Sequence, residues 1–354
     1  MRVDLFDYFL PVDRIAQTAR PRGTSRLLVL DRKTRAIAHR RFADFPGLLR
    51  EGDVLVRNDV RVRKARLYGR DEKDRIVEIF LLRPLADGLR RWEALARPGR
   101  RAKEGRSIRF AEGLVGRVGE VREDGRREIL FDRDVDAGFL ERIGNVPLPP
   151  YIRREAGAPD RPEDREAYQT VFAKEPLAVA APTAGLHFTE SLLEDIRARG
   201  VLIADLTLAV GAATFKPVTS DETEEHSLDP EDAFIPSATL HEIALARQER
   251  RRIVAVGTTV ARTLETAVRL PEGLEPGRDR RFPADIFIAP GFEFRAVDAL
   301  LTNFHLPRST LLMLVSAFAG RENVLAAYDA AIRDEYLFYS YGDAMFVTQD
   351  VDSR

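Results

Sequence analysis

The sequence predicts an α/β protein: a split α/β domain with a small antiparallel β-barrel inserted into it. Three observations carry that prediction. From residue 151 onward, strand-like and helix-like segments alternate, the signature of a layered α/β sheet. Between 61 and 146, short β-like runs follow one another between Gly and charged turn residues, as in a small all-β domain. Residues 1–60 hold only two strand-like runs, too few to stand alone, so they complete the sheet of the last zone. The expected division is 1–60 plus 147–354 for the α/β domain and 61–146 for the barrel.

The elements follow in order. RLLVL (26–30) and DVLVR (53–57) read as strands, with a short helix over 42–49 between them. The barrel strands are expected over 64–68, 76–82, 92–96, 107–110, 114–121 and 128–131, and the first helical period appears over 135–143. Pro147, Pro149 and Pro150 make a stiff, extended exit. A helix over 191–199 stops at Gly200. Strands are predicted over 202–210, 253–256, 286–289 and 299–303, and helices over 237–251, 259–270, 309–319 and 322–335.

Bulk composition narrows the function classes. The chain has 354 residues, 44% of them hydrophobic, enough for two folded domains. No apolar run reaches the roughly 18 residues that span a bilayer, and the first ten residues lack a secretory pattern. The expectation is a cytoplasmic monomer with no membrane partner. There is no cysteine, which excludes disulfides, thiolate catalysis, iron–sulfur clusters and cysteine zinc sites. The net charge is −1, so no bulk field draws the chain to nucleic acid, although a basic face can be balanced elsewhere.

Six segments can carry chemistry. In IVAVGTTVARTLE (253–265) a buried strand ends at Gly257, and Thr258 and Thr259 open a helix. Such a helix start binds carboxylate or phosphate, with Arg262 one turn on; an ordinary capped helix has the same pattern. In AAPTAGLHFT (180–189), Thr183 and Gly185 allow close backbone approach beside His187. TNFHLPRST (302–310) crowds Asn303, His305, Arg308 and Ser309 at a strand end, where Asn and Ser can equally serve as caps. SYGDAM (340–345) offers Tyr341 for stacking and Asp343 as an anion. RNDVRVRKAR (57–66) supplies Arg61, Arg63 and Arg66 for phosphates, or a solvated strand edge. EEHSLDPED (224–232) groups His226, Asp229 and Glu231 at a spacing that fits no standard metal site. Walker, GxGxxG, GxSxG and HExxH patterns are absent.

Taken in order, these segments resemble one family nearly end to end. SRLLVL (25–30), GDVLVRND (52–59), PLPPYI (147–152), YQTVFA (168–173), PTAGLHFT (182–189), VGTT (256–259), TNFHLPRSTLLMLVSAF (302–318) and SYGDAM are similar to blocks of the S-adenosylmethionine:tRNA ribosyltransferase-isomerases of queuosine biosynthesis. The resemblance implies an α/β domain with a β-barrel insertion. It implies transfer and isomerisation of the ribosyl part of S-adenosylmethionine onto 7-aminomethyl-7-deazaguanine in tRNA, with loss of adenine and methionine. S-adenosylmethionine is then a co-substrate, tRNA the partner, and no cofactor or metal is needed.

The sulfonium of S-adenosylmethionine acidifies the adjacent ribose carbon, so a base of near-neutral pKa suits the reaction, and His187 or His305 is the candidate. Thr258, Thr259 and Arg262 are candidates for the methionine carboxylate, Asp343 for its ammonium, and Tyr341 for the unstacked base. Thr183, Gly185, Asn303 and Ser309 complete the expected substrate site, and Arg61, Arg63 and Arg66 the expected tRNA contacts. The sequence also departs from the family pattern. Ala209 and Ala213 stand in LAVGAATF where LHVGxGTF is usual; Asp229 stands for a second His; Val60 replaces a Thr; Val260-Ala261 replaces Ser-Val. An Ala at 209 cannot transfer protons. These changes keep open a paralogue acting on another nucleoside, or an RNA-binding protein of weak activity.

Overall fold

The computed structural model describes all residues except 86–87, 212–220, 224–227 and 350–354. Its central strands are short apolar runs buried on both faces, which is why they lack a period-2 alternation. These are β1 (Arg26–Asp31), β3 (Val54–Asn58), β12 (Ile253–Val256), β14 (Ala299–Asn303) and β15 (Ala344–Thr348). The nine-stranded sheet is completed by β2 (Ile37–Arg41), β10 (Leu202–Leu208), β11 (Glu231–Ile235) and β13 (Arg280–Ala284). Its order is β13-β11-β10-β3-β12-β14-β15-β1-β2. The middle, β10-β3-β12-β14, is parallel. β15 runs antiparallel to β14 and parallel to β1.

Helices cover this sheet: α3 (Glu190–Ala198), α4 (Ser237–Gln248), α5 (Thr258–Ala267), α6 (Thr310–Ala319) and α7 (Arg321–Arg333). Two of them begin on hydroxyl caps. Thr189 accepts from the Leu192 N–H at 3.1 Å, and Ser309 from the Leu312 N–H at 3.2 Å. On one face of the sheet, Phe42, Phe45, Phe188 and Phe346 pack with Leu27 and Val29. Each fully buried side chain of this size contributes roughly 1.5–3 kcal/mol.

The barrel is a separate unit, closed in the order β4-β5-β6-β9-β8-β7. Its strands are β4 (Arg66–Arg70), β5 (Ile76–Pro84), β6 (Arg91–Arg97), β7 (Ser107–Arg109), β8 (Val115–Val121) and β9 (Arg127–Phe131). Alternation shows clearly here: Val77, Ile79 and Leu81 point inward along β5. Gly69 is required inside, because a Cβ there would lie 2.5 Å from Ile108 Cγ2. The helices α1 (Ala137–Ile143) and α2 (Pro162–Ala167) follow the last strand.

Three sequence expectations need correction. The barrel unit is Arg61–Tyr168 with Pro176–Ala180, so its expected end at 146 is too early. Segment 147–168 is tied to it: Asp160 accepts from the Val146 N–H at 2.8 Å, and Arg66 donates to the Leu148 carbonyl at 2.7 Å. Residues 286–289 form no strand; the chain pairs earlier, as β13 against β11. Glu231, grouped in sequence with His226 and Asp229, instead opens a strand, β11.

Candidate active site

The parallel neighbours β12 and β14 end side by side, and the chain leaves each through a polar turn. After β12, Gly257 adopts φ 96° and ψ 153°, a region open only to glycine, and its N–H donates to the Leu301 carbonyl at 2.7 Å. α5 then starts with no side-chain cap. Thr258 and Thr259 are buried there, and the Thr259 hydroxyl has no hydrogen-bond partner among the described residues. Arg262, one turn along, is also buried. Burial lowers its guanidinium to about 10, against the nearby charge of Asp285, so it stays a cation. It pairs with buried Glu231, while its Nε has no partner among the described residues. A narrow crevice of about 10 Å³, room for about one water, lies here between Thr258, Thr259, Arg262, Ile288, Thr310 and Leu314.

After β14 come the polar residues of the second turn. Asn303 Nδ2 donates to the Tyr339 carbonyl and to His187 Nε2, each at 3.1 Å. The carbonyl fixes which end of the amide faces the ring. Nε2 is therefore an acceptor and the ring proton sits on Nδ1, 2.8 Å from Ser25 Oγ. Asn303 Oδ1 is buried with no partner among the described residues. Burial, reinforced by the charge of Arg22, lowers His187 to about 4, so its imidazole is neutral at pH 7. Phe42 lies against the ring, centroids 5.0 Å apart. His187 closes a 3-10 turn, Thr183–His187. Half-buried Thr183 opens that turn, and Ala184 Cβ lies 3.7 Å from where a Cβ on Gly257 would stand. The histidine turn and the open end of α5 are thus neighbours.

Other expected site residues have structural duties. His305 is buried: its Nε2 meets Thr302 Oγ1 at 2.7 Å, its N–H donates to the Tyr328 hydroxyl, and its carbonyl accepts from Tyr8. Burial lowers it to about 3. Ser309 is a helix cap and also donates to the Leu306 carbonyl at 2.7 Å. Gly185 makes room for packing, since a Cβ would lie 2.8 Å from Thr170 Cγ2. Asp343 is fully buried and accepts from the N–H groups of Arg26 and Leu337, both at 2.7 Å, and from Arg20 at 3.0 Å. Fully buried behind these donors, it presents no exposed oxygen to a substrate ammonium. Tyr341 is buried, with no face open for a base.

In the barrel, Arg61 is exposed, but Arg63 and Arg66 are not free for phosphates. Arg63 donates to the Leu82 carbonyl and lies over Trp92. Arg66 pairs with Glu78 at 3.3 Å. Of the segment 224–232, His226 lies outside the described residues, and Glu231 is taken up by Arg262 and by the Gly211 N–H at 2.7 Å. Among the described residues no group of three His, Asp or Glu could hold a metal. Two partners escaped the sequence reading: Ser25 for His187 and Glu231 for Arg262. Ser25 opens the block SRLLVL, the one signal that could have drawn attention to it.

A parallel sheet core that opens polar turns at its strand ends, a buried neutral histidine held between hydroxyl and amide, and an inserted barrel define an α/β enzyme with a barrel insertion. The family model described as "Queuosine biosynthesis protein" matches residues 3–347, and the chain belongs to that family. Curated relatives named S-adenosylmethionine:tRNA ribosyltransferase-isomerase are similar over their whole length. The protein from Heliobacterium modesticaldum is 50% identical across 98% of this chain and 100% of its own. That from Thermosipho africanus is 47% identical over the same shares. The crystal structure of S-adenosylmethionine tRNA ribosyltransferase from Thermotoga maritima is 38% identical, with a TM-score of 0.55, covering 97% of this chain and 99% of that one.

Proposed function

We propose that this chain transfers and isomerises the ribosyl moiety of S-adenosylmethionine onto 7-aminomethyl-7-deazaguanine in tRNA, giving epoxyqueuosine-tRNA, adenine and methionine. The observation that carries the reading is the His187–Asn303 pair beside the open end of α5. A neutral imidazole in the accepting form is what removal of a proton next to a sulfonium requires. Ser25 holds the proton on Nδ1, which leaves the Nε2 lone pair for the substrate once Asn303 yields it. Lowered to about 4, this base is weaker than the near-neutral one the chemistry favours.

The unpartnered Thr259 hydroxyl, the uncapped helix start and Arg262 suit the methionine carboxylate. Glu231 must then share or release Arg262. S-adenosylmethionine is consumed as co-substrate, and we assign no cofactor. We read the protein as a cytoplasmic monomer when free of tRNA, which a sedimentation measurement tests.

The deciding experiment is a single-turnover assay with S-adenosylmethionine and tRNA bearing 7-aminomethyl-7-deazaguanine. Adenine release with the matching gain in nucleoside mass is the expected result. Tight S-adenosylmethionine binding without turnover on this tRNA sinks the reading. The free base, run in parallel, tests whether the polynucleotide is needed.

A further inference from the structure

The near-zero net charge of the chain conceals a division. Residues 61–168, nearly all of the barrel unit, hold 26 Lys and Arg against 21 Asp and Glu; the rest of the chain holds 30 against 36. Many of the barrel cations are neutralised where they stand. Arg66, Arg75, Arg83, Arg91 and Arg122 each lie within 3.3 Å of a carboxylate.

The turn that follows β6 differs. It reads Arg97-Pro98-Gly99-Arg100-Arg101-Ala102-Lys103, four cations in seven residues with no acid among them. Arg97, Arg100 and Lys103 are exposed, and no described carboxylate pairs with any of them. Glu78, opposite Arg97 in the β5–β6 register, is engaged by Arg66. The turn is held from behind by another cation. Arg127, buried, donates to the carbonyls of Gly99 at 3.2 Å and Ala102 at 2.5 Å. Arg101 donates to the Ile76 carbonyl at 2.8 Å. A buried guanidinium spent on carbonyls adds positive charge beneath the turn and fixes its shape. Such a surface suits a polyanion with regularly spaced charges.

We infer that the turn Arg97–Lys103 of the barrel is a docking surface for the sugar-phosphate backbone of RNA. The inference rests on the tRNA reading above and assigns its contact to a part of the chain other than Arg63 and Arg66.

The test is a salt titration of binding to tRNA carrying the 7-aminomethyl-7-deazaguanine base. The triple variant R97Q/R100Q/K103Q is expected to bind on the order of tenfold more weakly at physiological salt, with the slope of log K against log salt reduced by about 2. Its affinity for S-adenosylmethionine should not change, which also shows that it is folded. The charge-keeping variant R97K/R100K is expected to retain the slope, and R247Q/R250Q, on the exposed C-terminal end of α4 and the turn after it, to leave tRNA binding unaltered. A triple variant with wild-type affinity and slope overturns the proposal, and so does one that loses only binding to anionic phospholipid vesicles. A wild-type protein that binds tRNA but does not turn it over sinks the catalytic reading alone, while one that binds no tRNA sinks both.

Discussion

His187 keeps its proton on Nδ1, and both of its nitrogens are already committed, to Ser25 and to Asn303. Replacing it with Gln keeps polarity and approximate volume but removes the base. Single-turnover adenine release should fall on the order of 10²- to 10⁴-fold, with S-adenosylmethionine affinity held. Ser25→Ala frees the tautomer without touching the base, so a smaller loss, roughly tenfold, is expected in the same assay. Equal rates for the wild type and H187Q would remove this histidine from the chemistry. Asp343 behaves differently because it is sealed between three donors. Asp343→Asn turns one acceptor oxygen into a donor facing other donors. It should cost about 1–3 kcal/mol in denaturant unfolding and leave ligand affinity of the folded fraction intact. A selective loss of S-adenosylmethionine binding would restore Asp343 as a ligand.

Gly257 shows how an element depends on one backbone conformation. It turns the chain from β12 into α5 at a φ and ψ that L side chains avoid. Gly257→Ala has space for its methyl group, so the cost is conformational: about 1–3 kcal/mol, read as a lowered midpoint of thermal unfolding. At this scale much was legible in sequence. β12 and β14 occupy the predicted residues because a short run with an apolar body, IVAV in one and ALL before Thr302-Asn303 in the other, bounded by turn residues has few other readings. β15 was not foreseen as a strand, because Tyr341, Gly342 and Asp343 just before it look like a polar site. β13 carries Pro283 and lies at the sheet edge, where weak patterning is tolerated. The candidate site was legible as residue types but not as partnerships. His187 and Asn303 are 116 positions apart, and only the sheet brings them together. Nothing local in the sequence reports burial, which is why Tyr341 and Arg63 look exposed in sequence while the fold buries the one and sets the other over Trp92.

For the whole molecule, the two buried histidines couple stability to pH. The unfolded chain takes up their protons near 6.5, whereas the folded chain resists until about 4 at His187 and about 3 at His305. Between those values the unfolded state holds more protons, so stability is full above about pH 6.5 and falls as pH drops toward 4. For His187 alone the loss is on the order of 3 kcal/mol at most. Urea unfolding from pH 7 to 4.5 should show it, and H187Q should reduce the dependence by about half, the remainder belonging to His305; an unchanged slope would mean that the His187 ring is already charged in the fold. A final consequence comes from the position of β15. It is the last described strand in chain order, yet it lies inside the sheet, between β14 and β1. On a translating ribosome, β1 and β2 are made first and wait, unjoined to the parallel core, until some three hundred further residues have been added. A nascent chain cut short before Ala344 lacks the strip that joins the two halves of its sheet. Truncated products should therefore be removed by proteases before they can hold substrate.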